Sequence, residues 1–183
     1  MTEREKMLAG QPYRPDDAEL VAARLNARRL TRLFNASLES DVEPRRKILD
    51  ELFGALGPKA EIEPPFRCDY GRNIHAGERL FINFGCVMLD CGKITLGDQV
   101  MIGPNVQFYA AYHPLDPVER SSGYEFGGPI TVGNRVWIGG GAIILDNVTI
   151  GDGSIIGAGS VVTKDVPANV VAVGNPCRVV RSL

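Results

Sequence analysis

The sequence predicts a mainly β protein, a coiled parallel β-helix that follows a helical N-terminal segment. The strongest observation is a six-residue repeat between Val132 and Val162, in which an aliphatic residue begins each hexad and glycine follows it in four of five hexads. Ala, Ser or Val stands four positions after each leading residue. A period of six matches neither an α-helix nor an isolated amphipathic strand. It is typical of a coil with three flat sides, each a short strand ended by a turn.

Residues 1–57 are rich in charged side chains and predict helices, which we expect to form an N-terminal helical cap. Thr2-Glu-Arg-Glu5 is a capping-box pattern for a first helix that Gly10 would end. Asp16 or Asp17 is a candidate N-cap of a long second helix, whose apolar residues recur at three- to five-residue spacing.

A third helix is expected from Pro44 to Leu56, with proline in its first turn. The second helix also carries a basic stripe, which we interpret as a solvated face rather than a binding surface. Its members are Arg24, Arg28, Arg29 and Arg32.

The parallel β-helix is expected over residues 58–183, with a protruding loop at 113–128 and a C-terminal tail. The hexads drift in phase before Leu96, are regular from there to the loop, and resume from Pro129 to about Pro167. At 18 residues per turn, the repeat would make about six or seven turns. We expect Gly or Asp after each leading residue to suit the corners, through positive φ or a side-chain-capped turn, and the small residue four places on to fill the interior. Because bare strand edges invite aggregation, the helices and the tail should cover the two ends.

Composition excludes several classes of function. The chain has 183 residues and a formal net charge of −2, whereas a nucleic-acid-binding protein usually has a basic face. No apolar run approaches the roughly 18 residues of a membrane span. The charged N-terminus lacks an apolar signal core, so we expect a cytoplasmic protein whose four cysteines are reduced.

His113 stands where the hexads stop and the polar loop begins. Histidine titrates near neutral pH and can accept a proton there, and a positioned general base typically contributes about 10²- to 10⁴-fold in rate. A single loop histidine is more often structural, but the position at the break of the coil favours a catalytic base. The other histidine, His75, is expected on the coil surface.

Several segments carry a more specific pattern than the hexads, which nucleotidyl and acyl transferases share. They are Met7-Leu-Ala-Gly-Gln-Pro-Tyr13, Phe66-Arg-Cys-Asp-Tyr-Gly71, Asn83-Phe84, His113-Pro-Leu-Asp-Pro-Val-Glu-Arg120, Val136-Trp-Ile-Gly-Gly140, Val161-Val-Thr-Lys-Asp-Val-Pro167 and Gly174-Asn-Pro-Cys-Arg178. With them, nearly the whole chain resembles the maltose/galactoside O-acetyltransferase family of hexapeptide-repeat acyltransferases, and most closely its maltose branch. The resemblance implies a left-handed parallel β-helix and a homotrimer with its sites between subunits.

The resemblance also implies roles at an acceptor site. His113 would take the proton from a sugar hydroxyl as that oxygen attacks the thioester of acetyl-CoA, and Asn83 would align the hydroxyl. Asp69 and Asp17 match acceptor-binding positions, although the neighbouring Asp16 leaves the second match open.

Two departures from the galactoside pattern concern the choice of acceptor. Cys91 replaces an acceptor-binding acid, and Phe81 replaces a tyrosine. Both favour glucose, maltose or another acceptor over galactosides, with the 6-hydroxyl of a hexose as the expected target.

For the donor, the resemblance implies that the Gly140 amide meets the thioester carbonyl. Trp137 would flank the pantetheine arm, and Ala158 would leave room along the coil. The phosphate-bearing end of CoA would contact a polar and cationic group, namely Thr163, Lys164, Arg178 and Arg181. The sequence is equally compatible with Trp137 packing between coils and with Lys164 as a plain turn residue. The two arginines could also be solvated residues of the tail.

Other functions remain open on the same coil. An acetyltransferase for a xenobiotic such as chloramphenicol, or for serine, would share the coil and the base. A γ-type carbonic anhydrase needs three histidine ligands for zinc, and the chain has two histidines, so no metal is expected. A non-catalytic assembly coil would not need the set formed by His113, Asn83 and Arg178.

Overall fold

A computed structural model describes residues 1–183 and shows four helices and nineteen short strands. The helices are α1 (Glu3–Leu8), α2 (Ala18–Asn35), α3 (Val42–Leu52) and α4 (Pro117–Ser121). The strands are β1 (Ala55–Leu56), β2 (Glu61–Ile62), β3 (Arg67–Cys68), β4 (Ile74–Ala76), β5 (Phe81–Ile82), β6 (Val87–Leu89), β7 (Ile94–Leu96), β8 (Met101–Ile102), β9 (Gln107–Tyr109), β10 (Ala111–Tyr112), β11 (Phe126–Gly127), β12 (Ile130–Val132), β13 (Trp137–Ile138), β14 (Ile143–Leu145), β15 (Thr149–Ile150), β16 (Ile155–Ile156), β17 (Val161–Val162), β18 (Val170–Val173) and β19 (Arg178–Ser182).

Three parallel sheets form the faces of a solenoid, which confirms the predicted fold class. The first face is β1-β4-β7-β12-β15, and a bridge from Ile150 to Val166 extends it. The second face is β2-β5-β8-β13-β16-β18, and the third is β3-β6-β9-β14-β17. Successive strands of the chain therefore move from face to face, and the solenoid makes about six turns.

The drift of the hexads before Leu96 arises at one corner of the solenoid. Steps within a turn are six residues long, as from Ile62 on the second face to Cys68 on the third. The step from Cys68 to Ala76, on the first face, takes eight residues. The next turn repeats this excess between Met88 and Leu96. The early turns are thus 20 residues long rather than 18, and the extra residues lie at the corner between the third and first faces. We call this the wide corner.

The protruding loop leaves the same wide corner one turn later. Between Phe108 and Val132 the chain forms the hairpin β10–β11 and the short helix α4 before it returns to the first face. The segment predicted as a plain loop therefore contains ordered elements. It also contacts the segment between α1 and α2, residues 9–17, which we call the N-terminal arm. Arg14 Nη1 of this arm donates to the Ser122 carbonyl at 2.6 Å.

The interior is filled as predicted. The leading residues of the regular hexads are buried, and so are the small residues four places on. Two of the latter are serines, whose hydroxyls donate to backbone carbonyls: Ser154 to Pro167 and Ser160 to Gly157, each at 2.6 Å. The polar side chains that are buried in the solenoid therefore have hydrogen-bond partners.

Of the two predicted corner conformations, positive φ directly after the leading residue does not occur in the regular hexads. Positive φ occurs three positions after it, at Gln99, Asn105, Arg135, Gly141, Asn147, Gly153 and Gly159. The glycine after the leading residue has a different cause, the close approach of the next coil. A Cβ on Gly103, for example, would lie 2.6 Å from the Gly140 nitrogen.

The N-terminal helices follow the predicted order, but α3 begins at Val42 rather than Pro44 and ends before Leu56. Thr2 forms the capping box of α1 with Glu5. Helix α3 ends at Leu52 rather than Leu56, because Ala55 and Leu56 pair with β4 as the first strand of the solenoid. The boundary expected at residue 57 therefore falls within the solenoid.

Helices α2 and α3 close the N-terminal end of the solenoid. Phe34, Leu49 and Leu52 are buried in the same continuous core as the coil residues. At the other end β19 turns back antiparallel to β18, so the tail adds a strand to the second face. None of the four helices combines the length and the hydropathy of a membrane-spanning segment. All four cysteines are free thiols.

Two glycine substitutions separate close approach from backbone conformation. Gly133→Ala would place Cβ 2.8 Å from the Asp152 nitrogen, so we expect a loss of about 3 kcal/mol as the coils are forced apart. Gly141→Ala meets no atom within 4 Å but has φ +69°, so a loss of about 1 kcal/mol is expected. Denaturant unfolding at one fixed protein concentration measures both. Equal losses would contradict the assignment of Gly133 to coil contact.

Candidate functional site

His113 lies at the wide corner, directly after β10, with its side chain exposed to solvent. It lines a cavity of about 540 Å³ between the N-terminal arm, α2, the hairpin β10–β11 and the wide-corner segments that follow β3 and β6. We call these two segments the extended turns, and the cavity the corner cavity. Its charged and thiol-bearing lining residues, besides His113, are Asp16, Arg24, Arg28, Asp69, Cys91 and Glu125. The structure thus places the predicted base in a polar cavity.

Asp69 is the predicted acceptor residue that the structure brings to His113. Its carboxylate is half-buried, and Oδ2 accepts a long hydrogen bond of 3.7 Å from the Cys91 thiol. Burial raises the pKa of Asp69, while the Cys91 thiol and the Arg24 guanidinium partly oppose that shift. Burial also raises the pKa of Cys91, so this thiol is a hydrogen-bond donor rather than a nucleophile.

Asp17, the first of the two candidate acceptor aspartates, does not line the corner cavity. Its carboxylate accepts from the Glu19 amide at 3.0 Å and caps α2. The neighbouring Asp16 lines the cavity instead. Two adjacent aspartates have therefore divided the roles of helix cap and cavity wall, which the sequence could not separate.

The interpretation of the basic stripe as a solvated face is wrong for Arg24, whereas Arg28 is exposed although it borders the corner cavity. Arg24 donates to the Tyr70 hydroxyl at 2.7 Å and to the Pro15 carbonyl at 2.6 Å, and with Arg28 it lines the corner cavity. Arg29 instead forms an ion pair with Glu51 at 2.6 Å, and Arg32 is exposed.

Two further residues of the cavity region were missed by sequence reasoning. Tyr13 is fully buried, and its hydroxyl donates to Glu125 Oε2 at 2.8 Å. The two residues also pair through their backbones, which ties the N-terminal arm to the hairpin. Burial, with the neighbouring Cys91, raises the pKa of Tyr13 well above its usual value, so the hydroxyl stays protonated. The only sequence signal was the position of Tyr13 in the segment that begins at Met7.

A second candidate site is a groove of about 420 Å³ on the second face. We call it the face groove. It brings together four predicted residues: Asn83, Trp137, Gly140 and Ala158. Trp137 is 49% exposed, so it does not pack between coils. Phe81 also lines this groove rather than the corner cavity.

The face groove presents hydrogen-bond donors. The backbone N–H groups of Gly140 and Ala158 donate to no atom of the chain. Asn83 accepts from the Phe84 amide through Oδ1 at 2.7 Å, which fixes the side-chain amide at the groove. Such donors can stabilise a carbonyl oxygen or the negative charge that develops on it.

The two predicted catalytic residues are not brought together within one chain. His113 lines the corner cavity, whereas Asn83 lines the face groove. The third face of the solenoid separates the corresponding corners, because Asn83 directly follows β5 and His113 follows β10.

The predicted phosphate-binding residues lie at the C-terminal end of the solenoid. Thr163 and Lys164 directly follow β17 and are exposed. Arg178 and Arg181 are on β19, also exposed, and each guanidinium contacts only a backbone carbonyl next to it. β19 pairs with β18, and β18 pairs with β16. The strand that carries the two arginines therefore belongs to the same face of the solenoid as the groove.

No group of three or more His, Cys, Asp or Glu side chains is arranged to hold a metal ion. The polar groups of both cavities are instead hydrogen-bond donors and acceptors. They suit an organic substrate with hydroxyl or carbonyl groups.

Comparison with known proteins places the chain among acetyltransferases. Residues 6–57 match the maltose acetyltransferase hexapeptide capping motif, and residues 129–164 match the bacterial transferase hexapeptide model of six repeats. The galactoside O-acetyltransferase of Escherichia coli K12 is 44% identical over 98% of this chain and 88% of its own length.

Solved structures agree over the full chain. A maltose O-acetyltransferase from Clostridium difficile 630 is 55% identical, with a TM-score of 0.99 over 100% of this chain and 98% of that one. A hexapeptide-repeat acetyltransferase of Vibrio cholerae O1 biovar eltor, solved in complex with acetyl-coenzyme A, is 45% identical. Its TM-score is 0.94 over 100% of this chain and 99% of that one.

Proposed function

The chain belongs to the maltose/galactoside O-acetyltransferase family and is an acetyl-CoA-dependent acetyltransferase; from this premise we propose that it transfers the acetyl group to a sugar hydroxyl. The proposed acceptor is glucose, maltose or a related glycoside, acetylated at the 6-hydroxyl. The observation that carries the proposal is His113, exposed in a cavity lined by carboxylates.

The chemistry of the corner cavity supports a polyhydroxyl acceptor. Carboxyl oxygens accept hydrogen bonds, so Asp16, Asp69 and Glu125 suit a ligand rich in O–H donors. Arg24 and Arg28 supply donors for ring and hydroxyl oxygens. The Asp16 carboxylate replaces Asp17 in this proposal.

The proposed reaction is a direct transfer. His113 removes the proton from the acceptor hydroxyl while that oxygen attacks the thioester carbonyl carbon. The carbonyl oxygen becomes negative and accepts a hydrogen bond from the Gly140 N–H. The intermediate then collapses and the C–S bond breaks. The imidazolium of His113 donates its proton to the departing CoA thiolate, which regenerates the neutral base. Asn83 aligns the reacting hydroxyl.

The donor is proposed to lie along the face groove. Trp137 would flank the pantetheine arm, and the free Ala158 N–H would meet one of its amide carbonyls. One end of the groove lies next to β18 and β19, where Arg178 and Arg181 would bind the phosphates of CoA. Thr163 and Lys164, which follow β17 at the same end of the solenoid, would also contact these phosphates.

A complete site then requires a neighbouring subunit. Since His113 and Asn83 line different cavities of one chain, a cyclic trimer can join the corner cavity of one subunit to the face groove of the next. Phe84 and Met101, each more than half exposed, are apolar residues near the groove that such an interface would bury. The predicted cytoplasmic location is part of the same proposal.

An acceptor such as chloramphenicol or serine remains the second candidate. The N-terminal arm and α2 form one wall of the corner cavity through Asp16, Arg24 and Arg28. The capping motif of the maltose acetyltransferases covers these three positions, which favours the sugar.

Replacing the proposed base tests the mechanism. His113→Ala should lower kcat by at least about 10²-fold with acetyl-CoA affinity unchanged, because it removes the proton acceptor without touching the face groove. The matched control is His75→Ala on the first face, which should retain wild-type turnover. Thiol release with maltose measures kcat, and calorimetry measures acetyl-CoA binding. Near-normal turnover of the His113 variant would contradict the assignment.

Mixing two inactive variants tests the shared site. His113→Ala and Asn83→Ala should each have low activity alone. Mixed trimers, formed by co-expression, should recover part of the wild-type rate, because some interfaces then combine an intact histidine with an intact asparagine. An unchanged low rate in trimers shown to be mixed would indicate that one chain supplies both residues.

Shortening the donor tests the phosphate contacts. Arg178→Ala should raise the KM for acetyl-CoA about tenfold, because it removes a charge-assisted hydrogen bond. The KM for acetyl-pantetheine, which lacks the nucleotide phosphates, should not change. The exposed Arg32→Ala is the control for loss of a surface charge. An equal rise with both donors would place Arg178 away from the phosphates.

A further inference from the structure

Asp90 is a buried carboxyl that the proposed reaction does not use. Its side chain is fully buried at the wide corner, directly before Cys91. No lysine or arginine forms an ion pair with it. A buried carboxyl without a cation is costly unless hydrogen bonds satisfy its oxygens, so its partners indicate its role.

All three hydrogen bonds to the Asp90 carboxyl come from one segment, the extended turn of the preceding coil. Oδ1 accepts from the amides of Asp69 at 3.0 Å and Tyr70 at 2.8 Å. Oδ2 accepts from the Asn73 amide at 3.3 Å, and the Asn73 side chain donates back to the Asp90 carbonyl at 2.7 Å. The turn at 69–73 contains the two extra residues of the wide corner, so its amides cannot all follow the regular ladder.

Two residues of that turn form part of the corner cavity. Asp69 presents its carboxylate there, and Tyr70 accepts the hydrogen bond that holds Arg24 against the cavity. Asp90 itself does not line the cavity. Its effect on a ligand must therefore pass through the turn.

We propose that Asp90 is a positioning residue for the acceptor: its carboxylate holds the turn at 69–73 so that Asp69 and Tyr70 face the corner cavity. This inference rests on the proposed function, since it assigns the acceptor to that cavity. It makes acceptor affinity depend on a group that touches no substrate.

The charge state of Asp90 adds a pH dependence. Burial raises its pKa to about 7, with a smaller contribution from Asp69; the other titratable groups facing it are the Cys68 and Cys91 thiols, which burial keeps protonated. Above about pH 7 both oxygens accept hydrogen bonds from the turn. Below that pH one oxygen carries a proton, and the hold on the turn weakens.

The test is Asp90→Asn, which has the shape of the protonated acid. Its amide keeps one accepting oxygen but turns a donor toward the Asn73 N–H. At pH 8 we expect the KM for maltose to rise about fivefold, the loss of one backbone hydrogen bond, with kcat and the KM for acetyl-CoA changed less than twofold. The ratio of variant to wild-type KM should fall toward one at pH 6, because the wild type then loses the same contact.

Asp98→Asn is the matched control. The Asp98 carboxylate also accepts a backbone amide of the preceding coil, from Glu78 at 2.8 Å, but at a different corner. We expect no change in the KM for maltose. If Asp90→Asn does not fold, Asn73→Ala replaces it as the test. This variant removes the hydrogen bond from the Asn73 side chain to the Asp90 carbonyl but keeps the carboxylate, and it should also raise the KM for maltose.

Hydrogen exchange separates this inference from the proposed function. Amides of the peptide covering 69–73 should exchange at least about tenfold faster in Asp90→Asn than in wild type or Asp98→Asn. A wild-type protein that acetylates no sugar would contradict the proposed function, whatever the exchange shows. Unchanged exchange at 69–73, a KM for maltose unchanged at pH 8, or a KM ratio that does not vary with pH would overturn the role of Asp90.

Discussion

The stacking of one coil directly on the next is the constraint on which the rest of the structure depends. Parallel strands about 4.8 Å apart leave no space between coils for a Cβ at Gly103 or Gly133. Each leading residue then lies above its counterpart one turn earlier, and their side chains form a continuous core. The coil is consequently regular along its faces, one of which carries the face groove, whereas the corner cavity lies where the stacking is relaxed.

The wide corner is the place where the regular stacking is relaxed. Two extended turns and the protruding loop leave the solenoid there in three successive coils, and together they form the corner cavity. The extra backbone needs partners, and Asp90 supplies them for the first turn. The same irregularity that blurs the hexads in the sequence thus produces both the site and the buried carboxyl beneath it.

The N-terminal segment has two roles. Helices α2 and α3 pack their buried side chains onto the N-terminal end of the solenoid. The arm before them contacts the protruding loop, through Tyr13 with Glu125 and Arg14 with Ser122, and completes the wall of the corner cavity. Sequence patterns could not predict that contact, because residues 13 and 125 are far apart in the chain and neither belongs to a repeat.

The sequence by itself determined the coil, the identity of the core positions and the candidate base, because period and burial are local properties of a stacked repeat. The resemblance to a known family supplied four residues, Asn83, Trp137, Gly140 and Ala158, which the structure brings together in the face groove. Only the tertiary structure decided that Asp17 caps a helix while Asp16 lines the cavity, that Arg24 faces inward, and that His113 and Asn83 lie in different cavities. These placements depend on which corner of the solenoid each segment occupies and on contacts between segments far apart in the chain. Neither of these properties produces a periodic pattern in the sequence.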